Sequence, residues 1–315
     1  MLHATNSHSQ VFKIKDASSY DTVSEQFEVF TQMLSLPFVE RMTRLAKLQP
    51  ADRILDIGTG TGIVAFNAAR AVPKGRVVAV DLSEGMLANA RTKARRLVSA
   101  TPIEFRRMDA ESLELEDQSF DTVLSLFALL HFPNPSQALA EMFRMLRPGG
   151  CLVVAVGGGP AFPSLAAVRE TVRSIHQLLL QQTGKLLVAP GFLDALVSKH
   201  LPGSIDTEVS VLARTGLRRT NHVLTLARGA GFRHIQTSWH GHQAQLETAE
   251  DFWLIQSTFS SLARKRLAAA PQEKLKGLHE EFFEICHQVQ ARGGRLVYPM
   301  GAFFLKAQKP SRKDS

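Results

Sequence analysis

The sequence predicts an α/β fold, doubly wound, with a mostly parallel sheet covered by helices on both faces. Between residues 50 and 157 short apolar runs alternate with helical stretches, and parallel strands require crossover connections of that kind. The first run leads straight into a glycine-rich turn, Gly58-Thr59-Gly60-Thr61-Gly62. Three acids, Asp56, Asp81 and Asp109, stand at the ends of the first three runs, where open α/β sheets bind their ligands.

Residues 1–18 are polar and unpatterned. From Tyr20 to Leu48 the apolar residues Phe27, Phe30, Leu34, Phe38, Met42 and Leu45 recur at three- and four-residue spacings, which predicts an amphipathic helix closed by Pro50. Residues 53–57 read as a buried strand and 63–70 as a helix. A second strand follows over 77–82, a helix over 84–98 and a third strand over 103–108. The fourth strand covers 120–127, and a helix over 136–146 stops at Arg147-Pro148-Gly149-Gly150 before a fifth strand at 151–156. Right-handed crossovers then wind the helices onto both faces.

Beyond Gly157-Gly158-Gly159-Pro160 the alternation breaks. Residues 161–200 read as helices with no strand between them, 218–229 as a helix, 232–239 as a strand and 248–291 as a helical block. The run 295–307 reads as a last strand, with Pro299 and Gly301 marking a bulge or an edge. The expected organisation is an N-terminal helical cap (1–49), a core (50–160), a helical lid insertion (161–215) and a return to the core (216–244). A second helical insertion (245–293) and a final core strand (294–309) complete it.

With 315 residues and 44% hydrophobic content the chain can bury a large core, which excludes wholesale disorder. No apolar run is long enough to span a bilayer, and the N-terminus lacks the apolar stretch of a secretory signal. Two cysteines, Cys151 and Cys286, cannot form a disulfide framework, so a cytoplasmic protein is the expectation. The 37 basic against 29 acidic residues, net +8, keep nucleic acid open as a partner, although the excess is spread along the chain and solvated helix faces account for runs such as Arg264-Lys265-Arg266.

The ligand follows from the acids. A nicotinamide fingerprint has the spacing GxGxxG, whereas this turn is GxGxG with Ile63 after it. Asp56 would repel a pyrophosphate but suits an ammonium or sulfonium group. Asp81, nineteen residues after Gly62, is placed for a ribose diol, and Asp109 for an exocyclic adenine amine. An adenosine carrying a cationic amino-acid arm satisfies all three, which describes S-adenosylmethionine (SAM).

The segments RILDIGTGTG (53–62), VVAVDLSEGMLANAR (77–91), MDAESLELEDQSFDTVLSLFALLHF (108–132) and ALAEMFRMLRPGGCLVV (138–154) together resemble the successive motifs of class I SAM-dependent methyltransferases. The nearest group is that of the ubiquinone/menaquinone-biosynthesis C-methyltransferases and related small-molecule enzymes. The resemblance covers about residues 50–156. It departs from the commonest form at Thr59, where cysteine or serine is frequent. It implies a Rossmann-like, mostly parallel seven-stranded sheet with an antiparallel last strand and helical lid insertions.

The site roles it implies are these. Gly58, Thr59, Gly60 and Gly62 pass under the methionine arm, with Asp56 at the amino end. Asp81 takes the ribose hydroxyls, while Leu82 and Met86 pack on the adenine. Asp109 faces the adenine amine, flanked by Ala110 and Glu111. Ser125, Leu126 and Leu130 line the methionine arm, and Tyr20 belongs to an N-terminal element folding over the cofactor.

The expected reaction is transfer of the SAM methyl to an oxygen, carbon or nitrogen of a small-molecule acceptor, leaving S-adenosylhomocysteine (SAH). His131, just past strand four, is the candidate general base. His240 and His242 lack a third ligand, so no metal is expected and they read as a polar loop. Phe127, Phe132, Phe162 and Phe192 could wall a substrate, but core packing is the preferred reading. An RNA-directed methyltransferase and a non-enzymatic SAM-binding scaffold or sensor are the alternatives. Against the former, strand four is followed by Ser125-Leu126-Phe127-Ala128 rather than the proline-rich motif of amino-methylating enzymes.

Overall fold

The computed structural model describes residues 13–14, 17–21, 23–97, 101–160, 164–189, 191–202 and 220–311. After α1 (Ser24–Ala46) come β1 (Arg53–Ile57), α2 (Ile63–Ala71), β2 (Arg76–Asp81), α3 (Glu84–Arg96), β3 (Ile103–Arg107) and β4 (Phe120–Leu126). A short 3-10 turn (Leu129–His131) leads to α4 (Pro135–Met145) and β5 (Leu146–Gly157). The remainder is α5 (Leu165–Gln182), β6 (Leu186–Val188), α6 (Phe192–His200), α7 (Thr220–Gly229), β7 (Arg233–Leu246), α8 (Ala249–Phe259), α9 (Ser261–Ala269), α10 (Gln272–Ala291) and β8 (Arg295–Gln308).

The first five strands are parallel in the order β3-β2-β1-β4-β5, followed by β8, which runs antiparallel to β5 and to β7 on its other side. The order reverses between β1 and β4, so the carboxyl ends of these two strands frame the ligand crevice expected of such a sheet.

An eighth strand corrects the all-helical reading of 161–200. The three-residue β6 pairs parallel with Arg295–Val297 of β8, on the edge that β5 occupies further along at Ala302–Gln308. Three apolar residues between helices carry too little pattern to distinguish strand from helix. Pro299 lies in the short stretch of β8 between these two partners, which gives it the edge position its missing N–H requires. β7 also runs well past residue 239, so His240 and His242 belong to a strand, opposite Ala302 and Met300, and not to a loop. Gly241 and Gly301 leave room for the Trp239 indole, since a Cβ on either would fall within 3 Å of its ring.

Two cores flank the sheet. One packs Leu55, Val80, Val123, Val154 and Leu305 under α4 and α7 through Met142, Val223 and Ala227. The other packs Ile54, Ala79, Leu124, Val153 and Phe304 under α1 and α2 through Phe38, Met42 and Ala65. A third core belongs to the helical insertions: Leu193, Leu196, Phe252, Ile255, Leu278, Phe282 and Cys286 close around Leu246 and Leu296. Because β5 ends at Gly157 opposite Ala302, the β8 residues 295–301 and the core around them lie beyond the carboxyl ends of the parallel strands. Helix α1 joins both worlds. Phe30 and Leu34 enter the third core and Phe38 and Met42 the sheet core, with Pro37, which removes one helical hydrogen bond, between the two halves. No described helix is long and apolar enough to cross a membrane.

Candidate cofactor and acceptor site

At the end of β1 the chain turns through Gly58, Gly60 and Gly62, with φ of 71°, 54° and 89°, left-handed values that favour glycine. Gly58 also meets the next element: a Cβ there would lie 2.2 Å from that of Ala128, just after β4. Among the described residues nothing lies within 4 Å of where a Gly60 Cβ would stand, so the loop presents bare backbone there. The loop is tied to β2 by amide bonds from Gly58 and Thr59 to the Val80 carbonyl, at 2.9 and 3.0 Å.

Asp56 and Asp81 share this network. The Thr59 hydroxyl donates to Asp56 Oδ2 at 2.6 Å; the Gly60 amide donates to Asp81 Oδ2 at 2.8 Å and the Ser83 amide to Asp81 Oδ1 at 2.9 Å. Burial pushes the Asp56 carboxyl up to about 7, and the nearby Asp81 charge pushes in the same direction against the Thr59 bond. Burial also raises Asp81, opposed by the amides of Ser83, Gly60 and Leu82 and by charge on His131.

Ser83 caps α3 by accepting from the Met86 amide, so its side chain is the helix's own device and Asp81 is left free of that task. Met86 is buried beneath and Leu82 half-buried beside it. Asp109 and Glu111 are drawn together by Lys13, whose ammonium reaches Asp109 Oδ2 at 2.8 Å and Glu111 Oε2 at 2.5 Å, while Asp109 Oδ1 accepts the Glu111 amide. The two acids and desolvation pull the Lys13 pKa in opposite directions, and the acids win, holding it above its ordinary value.

Near the end of β4 the Ser125 hydroxyl is spent on the Ile57 carbonyl, 2.9 Å away, and ties β4 to β1. Its side chain therefore does not line the crevice. Leu126 and Leu130 are half-buried, one on each face of the sheet. Phe127, which follows, has a left-handed φ of 60°, a costly conformation for a bulky residue and one that recurs at ligand sites. Its ring packs edge-on against Phe38.

Tyr20 stands over His131, with its hydroxyl 3.5 Å from Nε2 and the rings edge to face at 5.6 Å. The neighbouring Asp21 accepts from the Ser83 hydroxyl at 2.6 Å and the Gly85 amide at 2.9 Å, and a Cβ on Gly85 would lie 2.7 Å from the Asp21 backbone. The N-terminal element is thus pinned across the mouth of the crevice.

Residues 55–154 match a family model described as a methyltransferase domain. The ubiquinone/menaquinone biosynthesis C-methyltransferase UbiE of Syntrophotalea carbinolica is 30% identical over 222 residues, which are 69% of this chain and 85% of that protein. The chain belongs to the class I SAM-dependent methyltransferases. A demethylmenaquinone methyltransferase of Clavibacter sepedonicus is 35% identical to this methyltransferase over 194 residues, 60% of this chain and 74% of that protein. Among solved structures, the [4+2]-cyclase SpnF superposes with a TM-score of 0.57 at 21% identity, covering 95% of this chain and 97% of that one. The phosphoethanolamine N-methyltransferase 2 of Haemonchus contortus, in complex with phosphomonomethylethanolamine and S-adenosylhomocysteine, superposes at 0.53 with 20% identity, covering 92% of this chain and 58% of that one. At such identities the likeness is one of fold.

The residues present in this methyltransferase fit SAM. Among the described residues, Asp56 Oδ1 and Thr61 Oγ1 are buried without a hydrogen-bond partner, a costly condition that a cationic, hydrogen-bonding ligand at this turn would relieve. Among the described residues no three His, Cys, Asp or Glu side chains gather as metal ligands. His240 and His242 pack instead on α1, edge-on to Phe38, with His242 Nε2 3.2 Å from the Met33 carbonyl. Phe192 stacks on Phe252 and Phe282 in the third core. Phe162 lies outside the described residues. Sequence reading missed Lys13, Asp21 and Arg264, which reach the site from far along the chain.

Proposed function

We propose that this SAM-dependent methyltransferase acts on a small molecule held between the carboxyl ends of β1 and β4 and the helical insertions. The observation that carries this reading is the third hydrophobic core, which lies beyond that end of the sheet and sets helices and aromatic side chains over it, where a compact acceptor would be covered. The relative named as a C-methyltransferase supports carbon as the first acceptor atom to test.

Bound in the crevice, SAM supplies a methyl group already activated on sulfonium sulfur, so the protein's contribution is alignment and exclusion of water. Asp56 and the glycine turn hold the amino-acid arm, Asp81 the ribose, and Leu82, Met86 and the segment Asp109–Glu111 the adenine. Leu126, Leu130 and the backbone at Ser125 border the reacting end. Tyr20, pinned beside Asp21, covers the crevice. His131, in contact with Tyr20 and electrostatically coupled to Asp81, is the group positioned to take a proton from an acceptor that must lose one.

The test is transfer of radiolabelled methyl from SAM to a panel of phenols, carboxylates and amines, with transfer RNA as a parallel substrate. The reading expects label in a small molecule. Label only in RNA, or tight SAM binding with no transfer across the panel, would replace it with one of the alternatives.

A further inference from the structure

Arg264, in the first turn of α9, is buried to within 8% of its surface, yet no carboxylate among the described residues faces it. Its Nη1 donates to the Thr258 carbonyl at 2.5 Å and its Nη2 reaches Ser19 Oγ only at 3.5 Å. Among the described residues its Nε has no partner. A guanidinium carries five N–H donors and a full charge, and a buried charge is ordinarily paired.

The side chain does not lie just anywhere in the roof. Its guanidinium carbon sits 4.4 Å from the centroid of the Tyr20 ring, and the hydroxyl of that ring contacts His131 at the end of β4. Phe27, Phe259 and Tyr298 continue the wall, each ring 4.7 to 6.3 Å from the next, beginning at Tyr20. Arg264, Tyr20 and His131 thus form a polar seam from the roof down to the strand end, set in aromatic surroundings. Stacking on Tyr20 offsets part of the burial of the charge but satisfies none of its N–H groups.

We infer that Arg264 reads an oxyanion on the acceptor, and that the methyltransferase selects small molecules carrying a carboxylate or phosphate group. The unsatisfied donors then receive the planar, bidentate partner a guanidinium prefers. The net charge of +8 favours the approach of such acceptors. This inference rests on the small-molecule reading above and narrows it to a substrate class.

The experiment uses the full chain saturated with SAH and titrates benzoate, phenyl phosphate and the neutral isostere benzamide by calorimetry. At least one of the two anions should bind about tenfold or more tightly than benzamide, the scale of a charge-assisted hydrogen bond. The preferred anion also distinguishes a carboxylate site from a phosphate site. In Arg264→Met the preference should vanish while the variant still binds SAH, which shows that it folds. Arg264→Lys, which keeps the charge and loses the fork, should retain part of it. Equal binding of anion and amide, no binding of either anion, or a preference surviving in Arg264→Met would each overturn the inference and leave the small-molecule reading standing. Failure of the wild-type chain to bind SAH would overturn both.

Discussion

At the sheet end of the site, polar groups are held by the main chain. The Asp81 carboxylate is gripped by two amides, the glycine turn hangs from the Val80 carbonyl, and Ser125 is tied to Ile57. At the roof the materials are reversed: side chains from distant segments meet one another, as Tyr20 meets His131 and Arg264, over a floor of packed phenylalanines. A site made of backbone keeps its geometry as long as strand register holds. A site made of side chains on packed helices is free to change residue by residue. The first suits a ligand shared by a whole family, and the second suits an acceptor particular to one member.

The largest effect separating the two regions should come from the roof's packing. Phe282 is fully buried against Phe192, Phe252 and Trp253. Phe282→Ala should destabilise the fold by about 3–5 kcal/mol, from lost burial plus the cavity left behind. Urea unfolding measures this, and SAH affinity under native conditions should stay within about twofold. A variant that loses SAH binding in step with stability would show that roof and sheet form one unit, and the contrast would fail.

Asp81→Ala is the converse. It removes a carboxylate and leaves the Gly60 and Ser83 amides without acceptors, so SAH should bind about 1.5–3 kcal/mol more weakly, on the scale of hydrogen bonds to charge. Unchanged affinity would move the ribose elsewhere.

The contrast also explains what could be read from the chain alone. Asp56, the glycines and Asp81 were legible because backbone geometry imposes residue type: positive φ demands glycine, and a strand end at the switch point presents a fixed position. Arg264 was hidden, because within Arg264-Lys265-Arg266 it reads as one cation of a solvated face, and only the packing of α9 buries it. Strand β6 was too short to carry a period, and the extension of β7 through His240 and His242 was masked by polar residues that pack on α1. Lys13 and Asp21 gave no signal, since their partners lie 96 and 62 residues away.

A smaller effect sharpens the sheet end by pH. Asp56 holds a proton up to about pH 7 in the folded chain, well above the ordinary carboxylate range near 4. The folded state therefore binds a proton that the unfolded chain has released, and the stability Asp56 contributes is present at low pH and declines as pH rises toward about 7. A cationic amino end beside Oδ1 favours the carboxylate, so SAM binding should expel that proton below pH 7. Affinity should then fall by up to about tenfold per pH unit, or 1.4 kcal/mol, between pH 7 and 5. Calorimetry in buffers of different ionisation heat should register the released proton, and Asp56→Asn should abolish both the release and the slope. A flat profile in the wild type would mean that the amino end does not lie against Asp56.

The smallest effect lies at the boundary between the two regions, where a side chain from the N-terminal segment touches acids of the sheet. Both oxygens of Asp109 are engaged, one by the Glu111 amide and one by Lys13, so an adenine amine seeking Asp109 must share or displace the Lys13 ammonium. Lys13 also pairs with Glu111, and with 13% of its side chain exposed the pair is partly shielded from water. Displacing it costs the worth of a modest ion pair, about 0.5–1 kcal/mol. Lys13→Met should accordingly bind SAH about two- to fivefold more tightly, with the gain shrinking at high salt, where the wild-type pair is already weakened. Tightening would mean that the segment competes with the nucleoside at a main-chain-positioned acid. Weakening would mean that Lys13 lies over the bound cofactor as part of its binding surface, and the N-terminal segment would then belong with the sheet end of the site and not with the roof.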